Sequence, residues 1–336
     1  MPIKIKKKIR FEDVQSEFFT TLNHSYHQTN AYSESSINFR RQSHIDRKCI
    51  CTNESFTIFV DNIPVIFFSC MRTSENKTIG LNVFGGRPCI AIQNEKLITI
   101  KMEKLFVKEV SVLIENTQGT IHHRDFLING NLSTLSKYLL KMGADSRQIY
   151  TQVIDLNKEE SEIKRGIRKS YSSLINWGLR ELNVKIYTKK DVSWEVVNEY
   201  RKLHILESGK ETRTEDSWRR QLTMIESGDA FLVTGGLNGG LNGGIISAGF
   251  FPCSLDSCYY GASASNRDLF DKPIFHALLW TAILHAKSIG CKWFEVGEQL
   301  YPSISQPSTK ELGISQFKAG FGGTTKAFMD IELSEL

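Results

Sequence analysis

Apolar and polar positions alternate along this chain in segments of helix and strand size. Phe56-Thr57-Ile58-Phe59-Val60 is one apolar run, Asp61-Asn62 breaks it, and Ile63 to Cys70 forms another. Two such runs around an Asp-Asn pair predict a hairpin. Upstream, Phe11 to His27 carries a helical pattern. Past Gly85-Gly86, Met102, Leu105, Phe106, Val110 and Leu113 recur close to helical spacing, so Ile100 to Ile114 is predicted as a helix. A strand over Thr120 to Ile128 follows, then a helix that Asn131 or Ser133 caps and Gly143 closes. Lys158 to Arg180 is charged at its start and then sets Ile167, Tyr171, Leu174, Ile175 and Leu179 at three-to-four spacing, which predicts one connecting amphipathic helix.

The second half repeats this order. Helices are predicted over Trp194 to Leu206 and Glu215 to Ser227, the latter stopped by Gly228. Strands Ala230 to Thr234 and Gly244 to Pro252 flank a Gly-rich stretch, Gly235 to Gly244, that holds Leu-Asn-Gly-Gly twice in tandem. It joins two strands and fits neither dinucleotide nor P-loop spacing, so it reads as a lengthened hairpin turn. Ser257 to Ala262 is a strand, Ser263 to Arg267 a polar turn, and Asp271-Lys272-Pro273 opens a helix over Ile274 to Ser288. That helix is apolar on nearly every side and must be buried. Strand Lys292 to Gly297 follows, then a Pro/Ser-rich loop over Pro302 to Ser308, a helix over Lys310 to Phe317, and a last strand through Ile331.

At 336 residues the chain exceeds one ordinary domain of roughly 100 to 200 residues. The expected division is an N-terminal domain over 1–155, the connecting helix over 156–183 and a C-terminal domain over 184–336. With 40% hydrophobic and 24% charged residues there is ample core material. The net charge of +5 is small, and much of it sits in Lys4, Lys6, Lys7, Lys8 and Arg10, read as a solvated lead-in. No stretch is apolar for the roughly 18 residues a membrane span needs, and the start has no signal-peptide core, so a cytoplasmic setting is expected. Seven scattered cysteines suggest reduced thiols, and no set of metal ligands has a usual spacing.

Four segments match a known pattern: Ile154-Asp155-Leu156 with Arg168-Lys169-Ser170-Tyr171, the strand end Tyr260-Gly261, the unit His276 to Gly297, and Gly313-Ile-Ser-Gln-Phe-Lys-Ala-Gly-Phe-Gly-Gly323. Over roughly residues 150 to 330 the chain resembles FemAB-like transferases and the wider GNAT superfamily of acyltransferases. The first half agrees only in length and element order. The resemblance implies an α/β fold of two tandem GNAT-like domains with mixed sheets packed together, and transfer of an acyl or aminoacyl group to an amine. Acyl-CoA or acyl carrier protein is then the expected co-substrate, with no permanently bound cofactor, and an amino sugar or other cell-surface polymer precursor the expected acceptor. Aminoacyl transfer from charged tRNA to a peptidoglycan precursor is the alternative, disfavoured by the lack of a long helical arm and of a basic tract. A non-catalytic GNAT-like binding subunit is a third reading. DNA binding and metal chemistry are not expected.

The resemblance also places a thioester donor between splayed strands, here Ser257 to Ala262 and Lys292 to Gly297. The usual Gly-rich pyrophosphate loop is absent, and Ser263, Ser265, Asn266, Arg267 and Lys272 stand where it would be as the cofactor-binding candidates. Amide formation needs a base, a carbonyl positioner and a path for the leaving group's proton. Glu298, placed just beyond a strand end, is the leading base, with Glu295 second. Tyr260 and Tyr301 are proton donors to the leaving group. His276, in the first turn of its helix, is a further catalytic candidate; His285, nine residues on, points about 180° away. Lys318 is a substrate carboxylate or phosphate partner, and His204 and Arg213 border the acceptor pocket, with Tyr301 also counted as substrate-binding.

Overall fold

The computed structural model describes residues 2–10, 13–18, 33–46, 48–73, 78–79, 90–94, 96–117, 119–127, 130–237, 244–254 and 256–334. Most of the helix predicted over Phe11 to His27 lies outside these residues, as do residues 238–243 of the tandem Gly-rich repeat; Gln15–Phe18 forms a 3-10 turn. The chain divides into two compact units. One holds the described residues up to 149 together with 327–334, and the other holds 150–326.

The first unit contains β1 (Ile3–Lys7), α1 (Glu34–Ile45), β2 (Cys51–Asn53), β3 (Phe56–Val60), β4 (Ile63–Ser69), β5 (Met71–Thr73), β6 (Thr78–Ile79), β7 (Ile90–Gln93), α2 (Ile100–Thr117), β8 (Ile121–Asp125) and α3 (Thr134–Lys141). The strand order β1-β3-β4-β7 is antiparallel throughout. The predicted hairpin is present, and both Asp61 and Asn62 take positive φ (48° and 69°), as a tight hairpin turn between right-twisted strands requires. On α2, Met102, Phe106, Val110 and Ile114 recur every fourth residue and are buried. Phe106 meets Phe56 and Phe68 at centroid distances of 5.9 and 5.6 Å. Burying a side chain of this size contributes about 2–3 kcal/mol, so the trio anchors helix to sheet. α1 has no apolar stripe to announce it; Ser33 caps it by accepting from the Ser36 amide.

β9 (Asp145–Asp155) carries the chain into the second unit. There follow α4 (Glu160–Arg165), α5 (Lys169–Glu181), β10 (Leu182–Tyr187), α6 (Trp194–Ser208), α7 (Glu215–Glu226), β11 (Ala230–Leu237), β12 (Ser247–Pro252), β13 (Ser257–Tyr259), β14 (Ala262–Ser265), α8 (His276–Ser288), β15 (Trp293–Gln299), α9 (Pro302–Ser305), α10 (Thr309–Ala319) and β16 (Thr324–Leu333). β16 starts in this unit and ends in the first, where it pairs antiparallel with β8. β10-β11-β12-β14 is antiparallel. β13 and β15 form a parallel pair, and β9 runs antiparallel beside β15. α8 is buried around most of its circumference, packed in one core with Tyr171 and Ile175 of α5 and Phe231, Val233 and Phe251 of the sheet. It begins at His276, two residues later than the sequence suggests, with Phe275 rather than Asp271 at its cap.

The predicted connecting helix is two helices. A capping box between Glu159 and Glu162 starts α4, and Gly166 closes it. The Arg168 amide then donates to the Gly320 carbonyl at 2.8 Å instead of to its own helix. This contact joins two of the segments that carry the resemblance. Tyr171 lies over Gly320, and its hydroxyl donates to the Phe317 carbonyl at 3.4 Å. Gly322 and Gly323 adopt φ +84° and +86°, and a Cβ on them would sit 2.5 Å from the Gly166 carbonyl oxygen and 2.4 Å from that of Val153. The Phe-Gly-Gly motif is therefore a backbone docking point with no room for side chains. Gly322→Ala is expected to cost about 1–3 kcal/mol from left-handed strain alone, and more from the clash. Urea unfolding measures it, and an unchanged midpoint would contradict this account.

Candidate active site

The second unit opens where β13 stops following β15. Their parallel register runs Ser257↔Trp293, Cys258↔Phe294, Tyr259↔Glu295, and the Tyr260 amide still donates to the Glu295 carbonyl at 2.9 Å. After Gly261 the chain turns onto β12 as β14, pairing Ala262 with Phe250. The two strands expected to splay do so, and the gap begins at Tyr260.

On the other side of the gap β15 carries a bulge. Glu295 pairs with Val153, but Gly297 pairs with Gln152 and Glu298 with Thr151, so Val296 is the extra residue. Val153 and Thr151 share one face of β9. The bulge therefore puts Glu295 and Glu298 on a common face, where strict alternation would have separated them. Glu298 lies within the strand rather than beyond its end and is exposed; Glu295 is buried. The Thr151 hydroxyl donates to Glu295 Oε1 at 2.7 Å.

Gly297 has φ +122°, and a Cβ there would lie 2.7 Å from Lys318 Nζ. The missing side chain makes the space in which the amine of Lys318, carried by α10, sits. Lys318 Nζ also lies 5.8 Å from the centroid of the Tyr260 ring. Burial pulls this amine below an ordinary lysine, while Glu295 and then Glu298 pull it back up. A half-buried cation thus stands at the mouth of the splay, backed by two carboxylates.

Tyr260 is stacked between Phe251 and Phe275, and its hydroxyl is hydrogen-bonded to Ser263. Burial pushes the phenol up to about 12, so it is a neutral hydroxyl with a proton to give. His276 is enclosed by Tyr171, Phe317 and Phe321, with ring centroids 4.7, 5.1 and 6.1 Å away. Burial pulls its imidazole down to about 4, and the Pro273 carbonyl opposes this only in part. It is a neutral packing element at the start of α8.

A second polar group lies on α6, α7 and the loop between them. Trp218, with none of its surface exposed, meets Tyr200 at 5.1 Å and His204 at 5.3 Å, both edge to face, and the Arg213 guanidinium lies 5.4 Å from its ring. The Tyr200 hydroxyl, His204 Nδ1, one Arg213 nitrogen, the Trp218 indole nitrogen and both amide atoms of Gln221 are buried without a hydrogen-bond partner. Buried polar atoms are rarely left this way, and five residues on two helices and the loop between them hold such atoms here. Burial raises the Tyr200 phenol, with Arg213 opposing and Tyr260 adding to the effect, which ties this group to the splay. His204 is lowered, by burial first and Arg213 second.

Of the candidates for a pyrophosphate loop, all but Lys272 have side-chain partners within the unit. Asn266 caps the 3-10 turn Arg267–Leu269, Arg267 pairs with Glu207 at 3.3 Å, and the Ser265 hydroxyl meets Ser247 at 2.7 Å. Lys272 is exposed on the turn before α8. Tyr301 follows β15 and packs edge to face on Tyr150 at 5.3 Å.

Among solved structures, FemX aligns with a TM-score of 0.72 at 11% identity, covering 98% of this chain and 97% of that one. The C-terminal domain of a putative lysylphosphatidylglycerol synthetase from Agrobacterium fabrum gives 0.59 at 11% identity, over 96% and 92%. A tandem GNAT protein from the clavulanic acid biosynthesis pathway gives 0.56 at 9%, over 100% and 99%. This is a FemAB-like tandem GNAT fold. No protein-family model matches the sequence, and no curated protein matches it. Among the described residues each unit has a parallel strand pair, β6 with β8 and β13 with β15.

Sequence reasoning missed Thr151, Tyr200, Trp218 and Gln221. The β-branched Ile149, Thr151 and Val153 at every second position signal the strand β9 that carries the first of these. Nothing local signals the unpartnered atoms of the others, since their lack of partners is a property of packing.

Proposed function

We propose that this chain is an acyltransferase that moves an acyl or aminoacyl group from an activated donor to an amine at the splay of β13 and β15. The Lys318 amine, held at the bulge between Tyr260 and two carboxylates, carries this reading. The acceptor nitrogen, relieved of a proton by Glu298 or by Glu295 behind it, attacks the donor carbonyl carbon. The developing oxyanion is met by the Lys318 ammonium. The bond to the leaving thiolate or alkoxide then breaks, and the Tyr260 hydroxyl supplies its proton. The group around Trp218, with its unpartnered donors and acceptors, suits the hydroxyl and amide groups of an amino sugar or other cell-surface polymer precursor.

Acyl-CoA or an acyl carrier protein is one donor class. A second reading, aminoacyl-tRNA as the FemAB resemblance implies, is favoured by the start of α8. Rings of Tyr171 and Phe317 surround His276 where a pyrophosphate would meet the helix, and Arg267 is paired to Glu207. Among the described residues no helix is long and apolar enough to cross a membrane, and a cytoplasmic setting goes with either donor.

Thermal shifts with coenzyme A, acetyl-CoA and longer acyl-CoAs, run beside protection of charged tRNA from hydrolysis, separate the donors. A raised midpoint with a CoA ligand supports the thioester version, and protection of the aminoacyl ester the other. Failure of both would overturn the transferase reading in favour of a GNAT-like binding subunit.

A further inference from the structure

The Lys318 amine occupies the space left by Gly297, so its place depends on how α10 sits against β15. One turn before Lys318, on the same side of the helix, stands Ser315, which is buried. A serine inside a helix ordinarily bonds a carbonyl of its own helix or water. Here both roles of the hydroxyl reach across to the strand: it donates to Gln299 Oε1 at 3.3 Å and accepts from the Leu300 amide at 3.0 Å. Gln299, also buried, carries the tie back to the bulge, its Nε2 donating to the carbonyls of Gly297 and Glu298, each at 3.3 Å. One side-chain amide thus joins the helix that carries the amine to the glycine that seats it. The side-chain hydrogen bonds described to the neighbouring carbonyls of α10, from Arg168 to Gln316 and from Tyr171 to Phe317, come instead from the start of α5.

We infer that Ser315 and Gln299 are positioning residues of this site: the chain of hydrogen bonds Ser315–Gln299–Gly297 sets the register of α10 on β15 and so holds the Lys318 amine over Gly297 at the mouth of the splay. This rests on the proposed role of Lys318. Without the tie, these hydrogen bonds hold α10 from the α5 side, and rocking about that side carries the amine away from Gly297 and from the Tyr260 ring. A small misplacement of a group that meets the reacting carbonyl lowers the rate without weakening substrate binding.

The test is the NMR signal of the Lys318 ε-methylene in full-length protein carrying labelled lysine, assigned by its loss in Lys318→Met. Lys318 Nζ lies 5.8 Å from the centroid of the Tyr260 ring, so the ring's field displaces this signal from that of solvated lysines, and Tyr260→Leu measures the ring's share. Ser315→Ala is expected to remove most of that displacement. Gln299→Met, which keeps the length of the side chain but neither donates nor accepts as the amide does, is expected to move the signal in the same direction. Cys291→Ala, at a buried core position outside this chain of hydrogen bonds, is expected to leave it in place, which separates loss of register from general loss of stability. An unmoved signal in Ser315→Ala, or an equal movement in Cys291→Ala, would overturn the inference. If the alanine variant does not fold, Gln299→Met decides in the same two ways. The measurement needs no substrate, so a failed donor search bears on the proposed function alone. With a donor in hand, Ser315→Ala should cut kcat by roughly tenfold with KM unchanged, the signature of an interaction felt in the transition state.

Discussion

Lys318→Met is expected to lower kcat for amide formation by roughly 10²- to 10³-fold, the usual consequence of removing one oxyanion partner, while the thermal midpoint stays close to that of the unsubstituted protein. Methionine keeps the length and the packing of the stem against Gly297 and Tyr260 but carries no charge. The pH dependence follows from the same amine. Burial lowers it from the ordinary 10.5 and the two carboxylates raise it in part, so the protonated form is lost at a lower pH than for a solvated lysine. The alkaline limb of kcat therefore lies below that of an ordinary lysine. Glu295→Gln removes the larger support and moves the limb lower still. An alkaline limb that stays in place in this variant, or near-normal kcat in Lys318→Met, would exclude Lys318 as the carbonyl's partner.

Trp218→Ala is expected to destabilise the protein by about 3–5 kcal/mol, the range for emptying a large buried aromatic site. The indole holds Tyr200, His204 and Arg213 around it, so its loss also removes the wall of the proposed acceptor pocket. Trp218→Phe separates the two effects. It keeps the edge-to-face contacts and removes only the indole N–H, so urea unfolding should show a small loss while KM for the acceptor rises. Equal KM in Trp218→Phe and the unsubstituted protein would mean that the indole nitrogen does not touch substrate.

The parts of the site that the sequence made legible are those set by local pattern. The apolar circumference of His276 to Ser288 announced a buried helix, and α8 is one. The strand after it was placed within two residues, whereas the strand expected over Ser257 to Ala262 stops at Tyr259 and most of the expected polar turn is strand β14 (Ala262–Ser265), because the chain after Gly261 pairs with β12; the divergence of the two strands followed from the resemblance. The motif Phe317-Lys318 with Phe321-Gly322-Gly323 was visible as letters. Its reason, two carbonyl oxygens within 2.5 Å of where Cβ atoms would stand, was not. The two carboxylates show the limit most clearly. Counting alternate positions along Trp293 to Glu298 sends Glu295 and Glu298 to opposite faces, and a single extra residue at Val296 reverses that. Likewise, the break between α4 and α5 follows from the Arg168 amide bonding to Gly320, a partner more than 150 residues away.

The sequence by itself determined the hairpin at Asp61-Asn62, the helices with a continuous apolar stripe and the α/β alternation, because each depends on side-chain period and turn chemistry within a dozen residues. Only the tertiary structure decided the bulge that aligns Glu295 with Glu298, the space at Gly297 that seats Lys318, and the Thr151 hydroxyl on Glu295. It alone also decided the unpartnered atoms around Trp218 and the return of residues 327–334 to the first unit. These depend on strand register and on which distant backbone groups come within hydrogen-bonding distance, and neither is encoded in any local stretch of the chain.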